Sequence, residues 1–542
     1  MRKYLVLLLI IAGALTIAGC GKKYEALDTD VEGEISVMLW SGDGQFYQDI
    51  GKQDLAPEDL TGQNQATVYA VAKAFNETYP NVKINVYAKQ NGPNDNDVSW
   101  DQERENFKTN YGHYPSVYAS TDLAGDVTKG LVADLSVFAD DPMYKSFNES
   151  IMAMMNYYGV QAGLPQFLQP WGVYINKELA DQNNIDIPDP DWTIEEYTDF
   201  VESADMTNFW GAMDTPFSFL FTGTTTLAQQ LANYPGTGPH INLNSNEVKA
   251  LIPYISRWAD SSIWGLNDQG QIPSQVMDDN WWWAHKFFIE NKILTNDGDP
   301  WMMGDAANPT EGHWAGAKSN DWDIYPRPST PYQPNTVGVV LDPLAVYNFG
   351  MEDGNPEYTE EESLKLKIAY TFASFWVGDD AAWEARAEQE FLDGEALKSA
   401  MNDSLPFVTG EAFERQMEIW YSVDIHARFK DAAKMPGWQK VLEIWEAGQV
   451  WDVSDKAYLW TYDNAGTREN ILYEWQNIYN PVVVTGDPAA TSPMRHEAGW
   501  TPAVLAKLAQ WNSAINSRYI EAETELREGL MEFYGFTEED FS

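Results

Sequence analysis

The chain is nearly free of cysteine: its 542 residues carry one, Cys20. That excludes an internal disulfide and any metal cluster built on several thiolates. Histidine is scarce at six residues, and His496-Glu497 has no second histidine four positions after the first, so the zinc-protease helix is missing. Basic residues are few, 34 against 82 acidic, for a net charge of −48. Such a chain has no cationic cluster with which to neutralise phosphates, which argues against a nucleic-acid partner. Like charge also keeps its body off anionic lipid. No Gly-x-Ser-x-Gly elbow and no Walker phosphate loop occurs. The acidic stretch Asn94-Asp95-Asn96-Asp97 fails as a calcium loop. With Asp95 as first ligand, Trp100 stands where glycine belongs and Asn106 where glutamate belongs.

What is present in excess is aromatic: 23 Trp, 28 Tyr and 23 Phe. Most must be core, yet such a chain can also line a cleft with flat faces. Hydrophobic residues at 44% and charged residues at 21% fit a globular protein, and the length allows two or more packed units. At the N-terminus, Arg2 and Lys3 precede an apolar run from Leu5 through Ala14. The run falls short of the about 20 residues that a spanning helix needs. It reads as a secretion signal over residues 1–19. Leu15-Thr16-Ile17-Ala18-Gly19-Cys20 resembles a bacterial lipobox, which implies cleavage before Cys20 and acylation of its sulfur. Residues 20–33 then read as a lipidated cysteine with a polar tether, expected to reach about 45 Å when extended.

Order is expected to begin at Ile35-Ser36-Val37-Met38-Leu39-Trp40, a near-continuous apolar run typical of a buried parallel strand. Val68, Val71, Ala72, Phe75 and Tyr79 recur at helical spacing until Pro80. Val82, Ile84 and Val86 alternate as in a strand. Strand, helix, strand is the opening of an α/β unit. Pro115 to Ala119 predicts another short strand. Thr193-Ile194-Glu195-Glu196 predicts a capping box. Leu364, Ile368, Phe372, Phe375 and Trp376 share a helical stripe. Tyr325 to Pro331 predicts an extended connector, and Val337 to Leu341 a strand. Leu505, Leu508, Trp511, Ile515 and Tyr519 predict a long terminal helix.

The ordered set resembles the family 1 extracellular solute-binding proteins, the receptors of ABC importers for sugars and oligosaccharides. The matching segments are Ile35 to Gly44, Phe75-Asn76-Glu77-Thr78-Tyr79-Pro80-Asn81-Val82-Lys83-Ile84, Gly112 to Val117, Gly130 to Leu135, Gly163 to Leu179, Asp191 to Glu196 and Asp299-Pro300-Trp301. They cover roughly residues 35 to 410. The resemblance implies an α/β, two-lobed, periplasmic-binding-protein-like (Venus flytrap) fold of type II, here with an extended helical C-terminal region. It implies lobe 1 at residues 34–165 plus 341–403 and lobe 2 at 166–340 plus 404–542. Chain crossings are expected near Leu164–Trp171, Val337–Pro343 and Ser404–Phe407. It further implies a carbohydrate ligand, membrane permease subunits as partners, a monomer, no cofactor and no metal. The expected location is the outer face of the cell membrane.

Ligands of α/β lobes sit beyond the carboxyl ends of strands, and sugars need planar aromatics with Asp, Asn, Gln and Ser side chains. That selects Trp40, Ser41 and Asp43 after the first strand, and Ser120, Thr121 and Asp122 after the third. Gln166, Gln169 and Trp171 fall at the crossover. Trp301 is selected by its family position. Trp281-Trp282-Trp283 points in several directions on a helix and reads as packing, while Trp314 and Trp322 are further cleft candidates. A lipid-anchored glycan-active enzyme remains an alternative, since hydrolases also use aromatic clefts with carboxylate pairs. So does the same fold holding a peptide or a cation.

Overall fold

The computed structural model describes residues 24–42, 44–60, 62–90, 100–166, 169–212, 242–263, 288, 290–297, 321–351, 358–393, 396–401, 404–452 and 497–541. The apolar run beginning at Ile35 forms β1 (Gly33–Gly42). Beyond it, β2 (Phe46–Tyr47) lies antiparallel on β3 (Val82–Gln90), and β1 pairs in parallel with β3 and with β4 (Val117–Ala119). Ile35, Val37, Met38 and Leu39 are all buried, as a parallel strand covered on both faces requires. Helix α1 (Gln63–Thr78) packs on β1 and ends one residue, Tyr79, short of Pro80, because proline cannot continue the ladder. Helices α2 (Trp100–Tyr111) and α3 (Leu123–Thr128) flank β4 in sequence. Two short helices follow, α4 (Pro142–Ser146) and α5 (Glu149–Ala153). Then comes a hairpin of β5 (Asn156–Tyr157) and β6 (Val160–Gln161). Its two-residue turn holds Tyr158 at φ 55° and Gly159 at φ 100°, the left-handed pair such turns demand.

The chain leaves this sheet through β7 (Gly163–Pro165) and passes along β8 (Gln169–Trp171) into β9 (Val173–Asn176). There begins a second sheet, ordered β10-β11-β9-β12, with β10 (Trp210–Ala212), β11 (Ile293–Asp297) and β12 (Trp322–Tyr325). The return runs along β13 (Val337–Val340) into β14 (Pro343–Val346), which completes the first sheet as β2-β3-β1-β4-β14-β7. The two passages are joined to each other: β8 and β13 pair antiparallel, Trp171 opposite Gly338 and Gln169 opposite Val340.

Helices α6 (Lys177–Gln182), α7 (Ile194–Glu202) and α8 (Asn246–Asp260) accompany the second sheet. The capping box read at Thr193 is formed: Thr193 Oγ1 accepts from Glu196 N at 3.2 Å and Glu196 Oε2 accepts from Thr193 N at 2.8 Å. After the return come α9 (Glu360–Gly378), packed on β1 and β14, then α10 (Asp380–Glu388) and a hairpin of β15 (Glu390–Asp393) and β16 (Ala396–Ser399). Helices α11 (Glu411–Ser422) and α12 (Pro436–Glu446) precede β17 (Val450–Asp452), which pairs in parallel with β13. The segment expected to cross a third time is tied to the β4–β7 connection, since Asn148 N donates to Phe407 O at 2.7 Å and Val408 bridges Phe147.

The last helix, α13 (Glu497–Phe533), has 37 residues and is about 55 Å long at 1.5 Å per residue. It packs against α8 beside the second sheet and against α3 beside the first. Val504, Leu508 and Trp511 are buried toward its start and Ala522, Leu526 and Leu530 toward its end, while Ile520 between them is exposed. The tail beyond residue 404, expected in lobe 2, therefore touches both sheet systems. A second difference concerns the tether. From Tyr24 onward the segment is docked: Tyr24 meets Phe138 edge-on at 6.3 Å, Leu27 is buried, and Lys367 Nζ donates to Ala26 O at 3.2 Å. Two apolar anchors suffice to fix it, too few to register as a periodic pattern.

Candidate functional site

The pairing registers bring four loop ends to one edge of the six-stranded sheet. β1 and β4 run in parallel, so Trp40 and Ser41 at the end of β1 stand beside Ser120 after β4. β14 runs the other way, and its first residues close the edge. Ser120 N donates to Pro343 O at 2.8 Å, and Gln166 N, after β7, donates to Asp342 O at 2.9 Å. The carboxyl ends of β1, β4 and β7 thus meet where the chain passes to the second sheet, the place α/β architectures use for ligands. The β1–β3 register also slips between Leu39 and Gly42. The irregularity spans Trp40 and Ser41, and bulges of this kind re-aim side chains next to functional sites.

Behind the edge stands a buried ionic cluster that no sequence motif announces. Arg104 of α2 bonds Asp126 of α3 through Nη1 at 2.6 Å and Asp101 through Nη2 at 2.6 Å, and its guanidinium lies 4.7 Å over the Tyr118 ring. The carboxylates hold the Arg104 pKa above its ordinary value against the opposing effect of burial. Ser120 is buried, and its hydroxyl donates to Asp126 Oδ2 at 2.7 Å. Asp122 caps α3, with Oδ1 accepting from Gly125 N at 2.8 Å. Burial first, and then the Asp126 charge, push the Asp122 carboxyl up to about 7, against the Gly125 N–H and Lys129. Thr121 beside it is half-buried.

At the crossover, Gln166 is buried and its Oε1 has no hydrogen-bond partner among the described residues. Trp171, half-buried on β8, likewise has a buried Nε1 without a partner among the described residues. Orphaned buried polar atoms are costly, each about 1–3 kcal/mol, and such exceptions call for an explanation. Gln169 faces Val340 in the crossing ladder. Trp322, the further candidate on β12, is buried against Tyr174 and Phe429, with Arg428 3.9 Å over its ring. Asp43, Trp301, Trp281-Trp282-Trp283, Trp314 and the Asn94–Asp97 stretch lie outside the described residues. The edge therefore gathers Trp40, Ser41, Ser120, Thr121, Asp122 and Gln166, with Gln169 and Trp171 one step along the crossing.

The described side chains there, the Asp122 carboxylate, the Gln166 amide, the Ser120 and Thr121 hydroxyls and the Trp171 indole, are a set that suits a neutral polyhydroxylated ligand. Among the described residues no group of three His, Cys, Asp or Glu could hold a metal ion.

No protein-family model matches the chain, and no curated protein matches it in sequence. Solved structures do match. The cyclic α-maltosyl-1,6-maltose binding protein of Arthrobacter globiformis superposes with a TM-score of 0.54 at 15% identity, over 90% of this chain and 99% of that one. This chain has the two-lobed solute-binding-protein fold. A sugar transporter from Rhizobium etli in an open conformation gives a TM-score of 0.54 at 14% identity, over 89% and 99% of the two chains. A family 1 extracellular solute-binding protein from Alicyclobacillus acidocaldarius gives 0.51 at 12% identity, over 92% and 100%. The solute-binding fold is thus matched over nearly its whole length, with α/β lobes on either side of the paired β8 and β13.

Proposed function

We propose that this chain is the substrate-binding lipoprotein of an ABC importer. It captures a carbohydrate, an oligosaccharide, between its two lobes and delivers it to transmembrane permease subunits. The observation that carries this reading is the convergence at the crossing edge. The loop ends of β1, β4 and β7 meet there, and the buried Gln166 Oε1 and Trp171 Nε1 have no hydrogen-bond partner among the described residues. Both atoms would gain partners from ligand hydroxyls. The matched folds belong to a cyclic maltosyl-maltose binder and a sugar transporter, which favours the same ligand class here.

In this reading the binding residues are Trp40, Ser41, Asp43, Ser120, Thr121, Asp122, Gln166, Gln169, Trp171 and Trp301. Residues 34–165 plus 341–403 form one lobe, and 166–340 plus 404–542 the other, with α13 touching both. Residues 1–19 are a signal peptide, Cys20 carries the lipid, and the monomer works outside the membrane. Among the described residues no helix is long and apolar enough to cross a membrane. No catalytic role is assigned: Asp122 caps a helix and Asp126 is paired with Arg104.

The test is a thermal-shift screen of the soluble body against mono- and oligosaccharides. Ligand at about 100 times its dissociation constant adds about 2.7 kcal/mol to the binding form. A shift with an oligosaccharide supports the reading. A shift only with peptides or cations, or turnover of the glycan, would replace it.

A further inference from the structure

The six-stranded sheet has a second concavity at the edge opposite the crossing. It is built from the starts of β1 and β3, the residues before β4 and those after β14, and encloses about 620 Å³. That volume falls within the range of small-molecule sites. The crossing edge, where the proposed sugar cleft lies, is at the other end of these strands, so this cavity is separate from it.

Its floor is polar and fixed. Ser36 and Ser116 exchange backbone-to-hydroxyl hydrogen bonds at 3.2 and 3.1 Å, and both are buried. One wall is apolar: the Tyr347 ring lies 5.1 Å from Tyr114 and 5.5 Å from Phe349. Around the mouth the charges are not balanced. Glu34 is engaged by Asn85 Nδ2 at 2.7 Å, and Lys365 pairs with Glu361 at 3.0 Å. Lys108 stands 4.2 Å over the Tyr114 ring, with no carboxylate in ion-pair range among the described residues. Exposed His113 lines the same mouth. Lys108 thus stands without a carboxylate partner among the described residues, and Lys365 and His113 line the same mouth.

We propose that this cavity is a second binding site, for a small hydroxylated organic anion of acidic-monosaccharide size. The ligand carboxylate pairs with Lys108, its hydroxyls meet Glu34, Asn85 and the serine floor, and its C–H face lies on the aromatic wall. The hydroxyl requirement follows from the neutral acceptors and donors of the floor; the anion requirement follows from Lys108.

The experiment is isothermal titration of the soluble chain with glucuronate, with glucose as the uncharged control. It uses the wild type, Lys108→Glu and Trp171→Ala. Lys108 is exposed and lies on the surface of α2, so its replacement leaves the fold intact, which circular dichroism checks. The expected result is glucuronate binding that weakens with salt, falls at least tenfold in Lys108→Glu and persists in Trp171→Ala. Binding of a neutral oligosaccharide should be unaffected by Lys108→Glu. Absence of glucuronate binding at millimolar concentration, or binding that Lys108→Glu leaves unchanged, overturns the proposal. Loss of glucuronate binding in Trp171→Ala would place the acid in the cleft and overturn it as well. Failure of the neutral oligosaccharide to bind bears only on the transport reading.

Discussion

Asp323 on β12 accepts the backbone N–H of Gly437, on α12, at 2.7 Å across 114 residues of sequence. The same carboxylate accepts from Trp438 N at 3.1 Å and Ile324 N at 2.7 Å. It is fully buried and caps the first turn of α12, where unpaired N–H groups and the helix dipole favour an anion. Burial nevertheless pushes its carboxyl up to about 6. Through this contact the C-terminal segment is bound to the second sheet.

Asp323→Ala leaves buried N–H donors unpaired and should lower stability by about 3 kcal/mol. Asp323→Asn keeps one acceptor but turns an amide donor toward the remaining N–H groups, so it should recover only part of the loss. Urea unfolding of the two variants and the wild type measures both. Equal stability of all three would show that the α12 cap is satisfied in another way.

A pH dependence follows from Asp122. Its folded pKa of about 7 lies above the ordinary aspartate value of 3.8, so the folded state holds this proton more tightly than the unfolded chain. The stability it contributes is fully present below about pH 4 and is lost as pH rises through about 7. Asp122→Asn cannot ionise, and its stability should fall less than that of the wild type between pH 5 and pH 8. Denaturant midpoints at the two pH values give the comparison. Parallel loss in both proteins would assign the effect to other groups.

Gly529 of α13 separates two opposing effects. In a helix interior, Gly→Ala normally gains about 1 kcal/mol. Here a Cβ would run into the backbone carbonyl of Thr128 on α3, and backbone cannot give way as a flexible side chain can. Gly529→Ala should therefore destabilise the protein despite the better helix propensity. Faster amide exchange in α3 and the second half of α13 would locate the damage. A stabilised variant would mean that the two helices are not held this closely.

Legibility in the sequence tracked the range of the interaction. The capping box at Thr193 involves residues three apart and could be read directly. So could β1, whose buried positions are consecutive, and the stop of α1 before Pro80. On α9, Ile368, Phe372 and Trp376 are buried as the stripe implies, but Leu364 is 39% exposed. Its neighbours Glu362 and Leu366 are buried instead, so the covered face at the start of the helix is offset from the stripe. The strand ends were legible as candidate positions because ligand loops follow parallel strands. The cluster of Arg104, Asp101 and Asp126 was not, since among 82 acidic residues no spacing distinguishes the one carboxylate that α3 carries to Arg104. The docking of residues 24–33 rests on contacts such as Tyr24 with Phe138 and Ala26 O with Lys367, whose partners lie more than a hundred residues away.

Cys20→Ser should release the protein from the membrane fraction into the medium or periplasm. Because Tyr24 is already docked on Phe138, the chain between Cys20 and Tyr24 can extend over at most about 14 Å. An acylated Cys20 would hold the lobe close to the bilayer, less than the about 45 Å expected of a free tether to residue 33. Fractionation of cells expressing the two forms, with mass spectrometry of the N-terminal peptide, reads both anchoring and cleavage. Retention of the serine variant in the membrane would remove Cys20 as the anchor.

Trp171 offers the sharpest test of the ligand reading, because its ring and its N–H can be removed separately. Trp171→Phe keeps an aromatic face on β8 and deletes the orphaned Nε1 donor. Trp171→Ala deletes both and, on a half-buried strand position, also removes packing. A sugar ring stacked on the indole adds roughly 0.5–1.5 kcal/mol, taking aromatic pairs as the guide. A hydrogen bond to one hydroxyl adds about 1 kcal/mol. Trp171→Phe should then weaken oligosaccharide binding about fivefold with little change in unfolding midpoint, since the lost donor has no partner among the described residues. Trp171→Ala should weaken binding by a further factor of about 10 and lower the midpoint as well. Titration calorimetry paired with thermal unfolding separates the two contributions. If Trp171→Phe instead raised stability and left affinity unchanged, the indole nitrogen would be a packing defect and the ligand would bind elsewhere along the crossing edge.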